Sequence, residues 1–237
     1  MSRLFDDAKK EYLSINVAAI TAYPFAMACW FYSDSDALKQ APIWCGDKDI
    51  NTHHSTLRIR GDVAGDPVEV FSHKYNGTNF YSAYTTSGYS ANTWHHAAGI
   101  WLATNERHAY IDGGSKGSNT GAVGAMSGHD NTTIGRTSGT VPYQDHYMSG
   151  MIAEVGIWDL TNWGANNAER ETNFERAIAS MAKGFSPSFF PLGLKGYWPL
   201  VRSTANIMTG QLMGESGTVA SPHCRVFNPV SPKSIIT

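Results

Sequence analysis

Residues 94–113 constrain the fold of this chain more than any other segment. Two runs alternate apolar and polar residues with a polar break between them, and the second run ends at the dipeptide Asp112-Gly113. Alternation with a period of two is typical of strands that are buried on one face. Asp-Gly favours the tight turn of an antiparallel hairpin. The segment therefore predicts antiparallel β structure.

Similar short runs recur along the chain and are separated by turn residues. Residues 24–31 and 148–158 repeat the apolar alternation. Strands this short at this spacing favour an all-β antiparallel sandwich of two sheets over parallel units with crossover helices. The other expected strands are 12–20, 25–32, 43–46, 56–60, 68–74, 79–84, 133–136, 196–201 and 219–227.

Composition and charge agree with one β domain. Only 16% of the 237 residues are charged, 12% are aromatic and 23 are glycine, which suits many short strands and tight turns. The formal net charge of −2 gives no electrostatic footprint for nucleic acid or for an anionic membrane. With neither a linker nor a repeat, we expect a single domain over 1–237, in which 222–237 form an extended tail.

The amino terminus indicates where the chain is synthesised. Residues 1–12 carry charges where a signal peptide needs an apolar core, and no later run approaches the roughly 18 apolar residues of a membrane span. We expect synthesis in a cytoplasm and no membrane insertion.

Cys29 is expected to pack as a small hydrophobic residue, and Cys45 and Cys224 could pair only if the fold brings them together. Stability should not depend on disulfides.

One peripheral helix is expected at 166–183. Asn166 or Asn167 is the candidate N-cap, and Gly184 followed by Pro187 marks the end of the helix. Spacing of the apolar residues predicts a helix that lies across the sandwich rather than one that binds a partner. The residues on its apolar face are Phe174, Ile178 and Met181.

Five motifs follow one another along the chain: 25–30, 94–96, 110–113, 134–135 and 154–158. Their order and spacing resemble the laminin-G-like branch of the concanavalin-A-like lectin and glucanase superfamily, over nearly the whole chain. The resemblance implies a jelly-roll sandwich. The residues expected in its core are Trp30, Trp94, Trp101, Ile111, Trp158 and Trp198.

The carboxy-terminal part narrows this resemblance. After the expected helix come K-G-F-S-P at 183–187, G-Y-W-P-L at 196–200 and H-C-R-V-F-N-P at 223–229. That order resembles a subgroup of these domains that tailed bacteriophages commonly encode. The resemblance implies a protein of the virion surface, and release of a particle by lysis needs no export signal.

The strand at 148–158 lacks the carboxylate pair of the related glucanases, which cleave polysaccharides with carboxylates on alternate residues of one strand. Here Glu154 is followed by Gly156 and Trp158, and Asp159 falls on the opposite face by parity. We therefore expect no enzyme activity. Glu154 is expected to accept hydrogen bonds from nearby backbone or from histidines.

Histidine pairs and acidic loops specify no metal site. His95 and His96 lie on opposite faces of one strand and cannot chelate one metal together, and the pair His53 and His54 has a similar limit. The wider family sometimes binds calcium at the rim of the sandwich. No spacing specifies such a site, so no cofactor is expected. The carboxylates that could hold calcium are Asp34, Asp36 and Asp145.

Tyrosines in polar stretches are the candidate binding residues. Sugar rings stack on exposed aromatic faces, while Asn and Asp bind hydroxyl groups. The same residues also suit a partner interface or a half-buried strand face, and these alternatives stay open. The candidate glycan- or partner-binding residues are Tyr75, Asn76, Tyr81, Tyr84, Tyr143, Asp145, His146 and Tyr147.

Three functions compete. The leading hypothesis is a non-enzymatic structural protein of a bacteriophage virion, in a capsid decoration or a tail or fibre, that stabilises the particle or presents an adhesion surface. Its expected partners are other virion proteins and further copies of itself. The alternative is a lectin-like module that attaches the particle to host or environmental glycans. A glycan hydrolase with an unrecognised site is the third hypothesis.

Overall fold

A computed structural model describes residues 2–50, 53–73, 80–138, 146–200 and 204–221. The expected tail at 222–237 lies outside them. The helices are α1 Asn167–Met181 and a 3-10 helix, Pro187–Phe189. The strands are β1 Ser2–Phe5, β2 Tyr12–Ile15, β3 Phe25–Ser33, β4 Lys39–Gly46, β5 His54–Arg60, β6 Pro67–His73, β7 Phe80–Gly88, β8 Trp94–Ala103, β9 Glu106–Ile111, β10 Gly114–Asn119, β11 Asn131–Ile134, β12 Gly150–Asp159, β13 Leu194–Trp198, β14 Gly214–Ser216 and β15 Val219–Ser221.

The strands form two antiparallel sheets packed face to face. Within the described residues, sheet A has the order β10-β9-β8-β3-β12-β1-β15, with β13 also paired to β12. Sheet B has the order β14-β2-β11-β4-β5-β6-β7. The predicted all-β sandwich with one helix is confirmed.

Asp112 and Gly113 form the predicted tight turn between β9 and β10. Both have positive φ angles, 50° and 80°, which a two-residue type I′ turn requires and which Asp-Gly tolerates. The strand after the turn, β10, was not predicted. Its residues are mostly glycine, serine and asparagine, and glycine and asparagine are depleted in strands.

The core between the sheets contains Trp101, Trp198 and Ile111, as predicted. The prediction for Trp30 and Trp94 is wrong, since both are only half-buried and lie outside this core. Odd-numbered residues of β3 and β8 supply the core positions, so the even-numbered tryptophans face the other side of sheet A.

Helix α1 packs on the outer side of sheet A and not between the sheets. Phe174 is fully buried there, and its ring lies 5.1 Å from that of Trp158. The Asn166 side chain accepts a hydrogen bond from the Glu169 backbone N–H at 3.0 Å, which confirms the N-cap. Gly184 has φ 96°, as expected for a residue that ends a helix. No helix in the described part of the chain is long and apolar enough to cross a membrane.

A β-bulge between Ala153 and Gly156 interrupts the alternation of β12, so that different side chains face the core before and after it. Ile152 and Val155 both lie in the core although they are three residues apart. Glu154, inside the bulge, has φ 53°. Glu154 and Asp159 were expected on opposite faces because they are an odd number of residues apart. That expectation holds only for a regular strand, so it does not apply across the bulge.

Other differences from the predicted elements concern short segments. The strand expected at 12–20 ends at Ile15, while β1 and β14 were not predicted. Cys29 and Cys45 are buried free thiols, and Cys224 lies outside the described residues. The Cys45 thiol contacts the Ile20 carbonyl oxygen at 3.5 Å, so it packs as a weak donor.

Candidate functional site

The outer face of sheet B combines aromatic and charged side chains from neighbouring strands. Strand register aligns Arg58, Glu69 and Tyr84 on β5, β6 and β7, and it aligns Phe71 with Ser82 on the next rung. The residues between them along each strand face the core. We call this surface the outer face. Its members are Trp44, His54, Arg58, Arg60, Glu69, Phe71, Phe80, Ser82 and Tyr84.

A row of four rings crosses the outer face from β4 to β7. The ring centroids of Trp44 and His54 are 5.7 Å apart, those of His54 and Phe71 5.4 Å, and those of Phe71 and Phe80 5.6 Å. Aromatic pairs attract one another at this spacing. Trp44 is fully buried, whereas Phe80 is 59% exposed. The row therefore opens to solvent at β7, the edge of the sheet.

Glu69 is the buried centre of a polar cluster. Its carboxylate accepts hydrogen bonds from the Arg60 guanidinium at 2.9 Å and from the Ser82 hydroxyl at 2.5 Å. Arg58 Nη1 lies 3.6 Å away. Burial acts to raise the pKa of Glu69, but the two arginines and Ser82 outweigh it and lower the pKa. Glu69 is therefore ionised at neutral pH and holds Arg60 in place.

Tyr84 is the exposed end of this cluster, and the half-buried Arg60 lies beside it. Arg60 donates hydrogen bonds to both carboxylate oxygens of Asp62, at 2.7 and 3.0 Å, and one to the Tyr84 hydroxyl at 3.2 Å. Tyr84 is 39% exposed. Tyr84 and Phe80 face the same side of β7, about 13 Å apart along the strand. Two accessible rings thus flank hydrogen-bonding groups of fixed orientation.

The cationic side chain of Arg58 lies beside Glu69 and affects its neighbours. The Arg58 guanidinium carbon lies 3.6 Å from the centroid of the Phe71 ring, and within the described part of the chain its Nε has no hydrogen-bond partner. Burial, reinforced by Arg58 and Lys39, lowers the pKa of His146 to about 3. His146 is therefore neutral at pH 7 and can donate one hydrogen bond and accept another.

The two predicted tyrosines of β7 point to opposite faces. Tyr84 belongs to the outer face. Tyr81 is an odd number of residues away and faces the interior, where the guanidinium carbon of Arg107 lies 5.9 Å from its ring centroid. A single ligand on the outer face can therefore contact Tyr84 and not Tyr81.

The other described candidates lie further from Tyr84. The backbone carbonyl of His146 accepts a hydrogen bond from the Ala41 N–H at 3.1 Å, so His146 lies beside β4. The Tyr147 ring is 6.5 Å from that of Tyr12 on β2, towards the opposite end of sheet B. The remaining predicted site residues, Tyr75, Asn76, Tyr143 and Asp145, lie outside the described residues.

Sequence reasoning missed Phe80, Arg60 and Glu69. They belong to three different strands, and only the sheet register brings them together. The available signal was alternation, because Arg58 and Arg60 occupy positions where a strand buried on one face places polar residues.

The acidic loops do not provide an open calcium site in the described residues. Among the carboxylates predicted for calcium, Asp34 and Asp36 join no group of three metal-binding side chains there, and Asp145 lies outside them. Another group does form on neighbouring loops, but the Lys48 ammonium donates hydrogen bonds to two of its members, at 2.7 and 3.0 Å. This ammonium offsets one of the three negative charges and occupies an oxygen of each of these two members. The carboxylates of the group are Asp47, Asp49 and Asp130.

Glu154 is held in a buried polar chain. Its carboxylate accepts a hydrogen bond from the Tyr197 hydroxyl at 2.5 Å, and the Ser186 hydroxyl lies 2.7 Å from the Tyr197 oxygen. A tyrosine therefore takes the place of the expected histidine or backbone donor. Burial raises the pKa of Glu154, and the residue is only 4% exposed, so a polymeric substrate has no access to it.

A family model of the laminin-G type, described as the concanavalin A-like lectin/glucanases superfamily, matches residues 7–161. The match covers more than half of the chain and includes β2 to β12. The chain therefore belongs to this superfamily, which confirms that part of the predicted resemblance. The bacteriophage subgroup stays a prediction. No curated protein sequence matches the chain.

Two solved structures share the fold over 92% of this chain. A candidate carbohydrate binding protein from Bacteroides ovatus has a TM-score of 0.62 and 20% identity, and the match covers 58% of that protein. The native heptameric SAP-like pentraxin from Limulus polyphemus has a TM-score of 0.56 and 11% identity, with 93% of that chain covered. At these identities the likeness shows the fold alone.

Proposed function

We propose that this chain is a carbohydrate-binding module whose ligand lies at the β7 edge of the outer face. The observation that carries the proposal is the placement of two exposed rings, Phe80 and Tyr84, beside the fixed polar groups of Arg60 and Ser82. Aromatic rings stack on the apolar faces of sugars, and planar charged groups bind paired hydroxyls. Glu69 is a positioning residue, because it is buried and orients both polar groups.

The comparisons favour this function over a purely structural role in a virion. The superfamily description names lectins and glucanases, and the Bacteroides ovatus protein is described as a candidate for carbohydrate binding. Hydrolysis has less support, because Glu154 lies in a buried polar chain rather than in an open cleft. The outer face therefore supports binding without bond cleavage.

A glycan array followed by calorimetry on the best ligand tests the proposal. Tyr84→Ala and Phe80→Ala should each weaken binding about two- to tenfold, because one stacked ring contributes roughly 0.5–1.5 kcal/mol and 1.4 kcal/mol is a factor of ten. Both variants should keep the melting temperature within a few degrees, since the two rings are exposed.

Phe189→Ala is the matched control for this experiment. Phe189 has the same exposed fraction as Tyr84, 39%, but it lies in the 3-10 helix and not on the outer face. Its removal should leave glycan affinity unchanged. The proposal fails if the wild-type chain binds no glycan, or if Tyr84→Ala and Phe80→Ala bind as tightly as Phe189→Ala.

We also propose, from the sequence resemblance alone, that the module is displayed on the surface of a bacteriophage particle among other virion proteins and copies of itself. The most specific motif for this, 223–229, lies outside the described residues. Mass spectrometry should find the chain in purified particles. Deletion of 222–237 should remove it from them, whereas Glu154→Gln should not. A chain found only in the soluble fraction of the lysate would contradict this placement.

A further inference from the structure

A second group of functional side chains lies where helix α1 meets sheet A. Glu106 and His108 are two residues apart on β9, so they face the same side, and Glu171 comes from α1. One ligand atom from each of the three lies within 4.8 Å of the others. None of them belongs to the outer face of sheet B.

His108 directs a buried nitrogen into this group. The residue is 7% exposed, and its Nε2 lies 3.3 Å from Oε1 of Glu171 and 3.8 Å from Oε1 of Glu106. Within the part of the chain that the structure describes, Nε2 makes no hydrogen bond. A buried polar atom in this state destabilises the fold unless another partner binds it.

We propose that Glu106, His108 and Glu171 bind a divalent transition metal ion, with zinc as the best match. Bonds of about 2.0–2.2 Å at tetrahedral angles separate two ligand atoms by roughly 3.4 Å. The two separations from Nε2, 3.3 and 3.8 Å, lie close to this value. Imidazole with carboxylates suits zinc and its neighbours, whereas calcium and magnesium prefer oxygen ligands.

Neighbouring residues already orient the ligands. The Ser118 hydroxyl lies 2.8 Å from Nδ1 of His108, and Asn167 donates a hydrogen bond to Oε2 of Glu106 at 2.9 Å. Metal sites depend on such outer contacts to fix their ligands.

Lys116 competes with the metal for one ligand. Its ammonium contacts Oε1 of Glu171 and lies 3.2 Å from Oε1 of Glu175. Metal binding therefore requires the half-exposed Lys116 side chain to move towards Glu175, which it already contacts. Removal of this competing cation should strengthen metal binding. A bound ion would then tie α1 to β9.

Thermal melts of the chelator-treated full chain, with and without zinc chloride, test the proposal. Zinc at about 100-fold above its dissociation constant should raise the melting temperature by about 5–10 °C. Calcium and magnesium should have no such effect. Glu106→Gln and His108→Asn should abolish the zinc-dependent rise. Lys116→Met should lower the dissociation constant for zinc in calorimetry.

His95→Asn is the matched control, because it removes a histidine that also has a carboxylate neighbour, Asp112 at 2.7 Å. It should keep the full zinc-dependent rise. The absence of any rise in the wild-type chain overturns the proposal, and so does a rise that persists in Glu106→Gln. If His108→Asn does not fold, Glu106→Gln decides, because Glu106 is only half-buried.

Discussion

Trp94 and Trp101 lie on the same strand, β8, and should respond very differently to truncation. They are an odd number of residues apart, so alternation places them on opposite faces of sheet A. Trp101 is fully buried between the sheets, whereas Trp94 is half-buried on the other side. The pair compares one substitution in two environments.

The contacts of the two tryptophans determine how much free energy of unfolding each truncation should cost. Trp101 stacks on Phe25 with ring centroids 4.7 Å apart, and its indole N–H donates a hydrogen bond to the Ser72 hydroxyl at 2.9 Å. Trp101→Ala should destabilise the fold by about 3–5 kcal/mol through the cavity, and by about 1 kcal/mol more through the Ser72 hydroxyl that loses its partner. Trp94→Ala loses a ring contact to Tyr32 at 5.8 Å and should cost about 1–1.5 kcal/mol.

Urea denaturation followed by far-ultraviolet circular dichroism measures both free energies of unfolding without relying on tryptophan fluorescence. Each variant should keep the wild-type slope with urea, so that a shift in the midpoint reports stability. Equal losses for the two variants, or a larger loss for Trp94→Ala, would refute the assignment of core and outer positions on β8.

Two further predictions concern single residues. Burial lowers the pKa of His96 to about 4. Below pH 6.5 the unfolded chain therefore binds a proton that the folded chain excludes. As the pH falls from 6.5 to 4, this histidine should reduce the free energy of unfolding by about 1.4 kcal/mol per pH unit. Urea titrations should show a flatter decline for His96→Phe than for the wild type over that window. Asn166→Ala removes the N-cap of α1 and should cost about 1 kcal/mol in the same assay, whereas Asn166→Asp should cost less.

Local signals predicted the hairpin and the helix correctly. Asp112-Gly113 determines its own turn through two positive φ angles. Asn166 and Gly184 define the ends of α1 through contacts within a few residues. In both cases the interactions that fix the conformation are short in sequence, so the sequence alone is informative.

Alternation shows that a strand has two faces, but it does not show which one meets the other sheet. Both faces of β8 carry apolar residues, because one packs on sheet B and the other lies under α1. Trp94 and Trp101 therefore both fit a core position by pattern. The bulge in β12 adds a second limit, since an extra residue reverses the parity after it.

The candidate site was less predictable than the fold. Tyr84 could be proposed from its type and polar surroundings, but its neighbours Arg60 and Glu69 are distant in sequence and meet it only through register. The proposed metal ligands combine β9 with a helix that follows many residues later. Such groups require the tertiary structure, because no local pattern relates their positions.

The proposed glycan site and metal site are linked through a backbone contact at one edge of the sandwich. A Cβ at Gly117 on β10 would lie 1.6 Å from the Tyr84 carbonyl oxygen on β7, so only glycine permits this approach. Gly117 precedes Ser118, which contacts the His108 ring. The ligand side chains nevertheless lie on the outer sides of different sheets. Tyr84→Ala should therefore keep the zinc response, and His108→Asn should keep the glycan affinity. Glycan affinity should also be measured with and without zinc. Any difference between the two values gives the coupling free energy that this edge transmits between the sites.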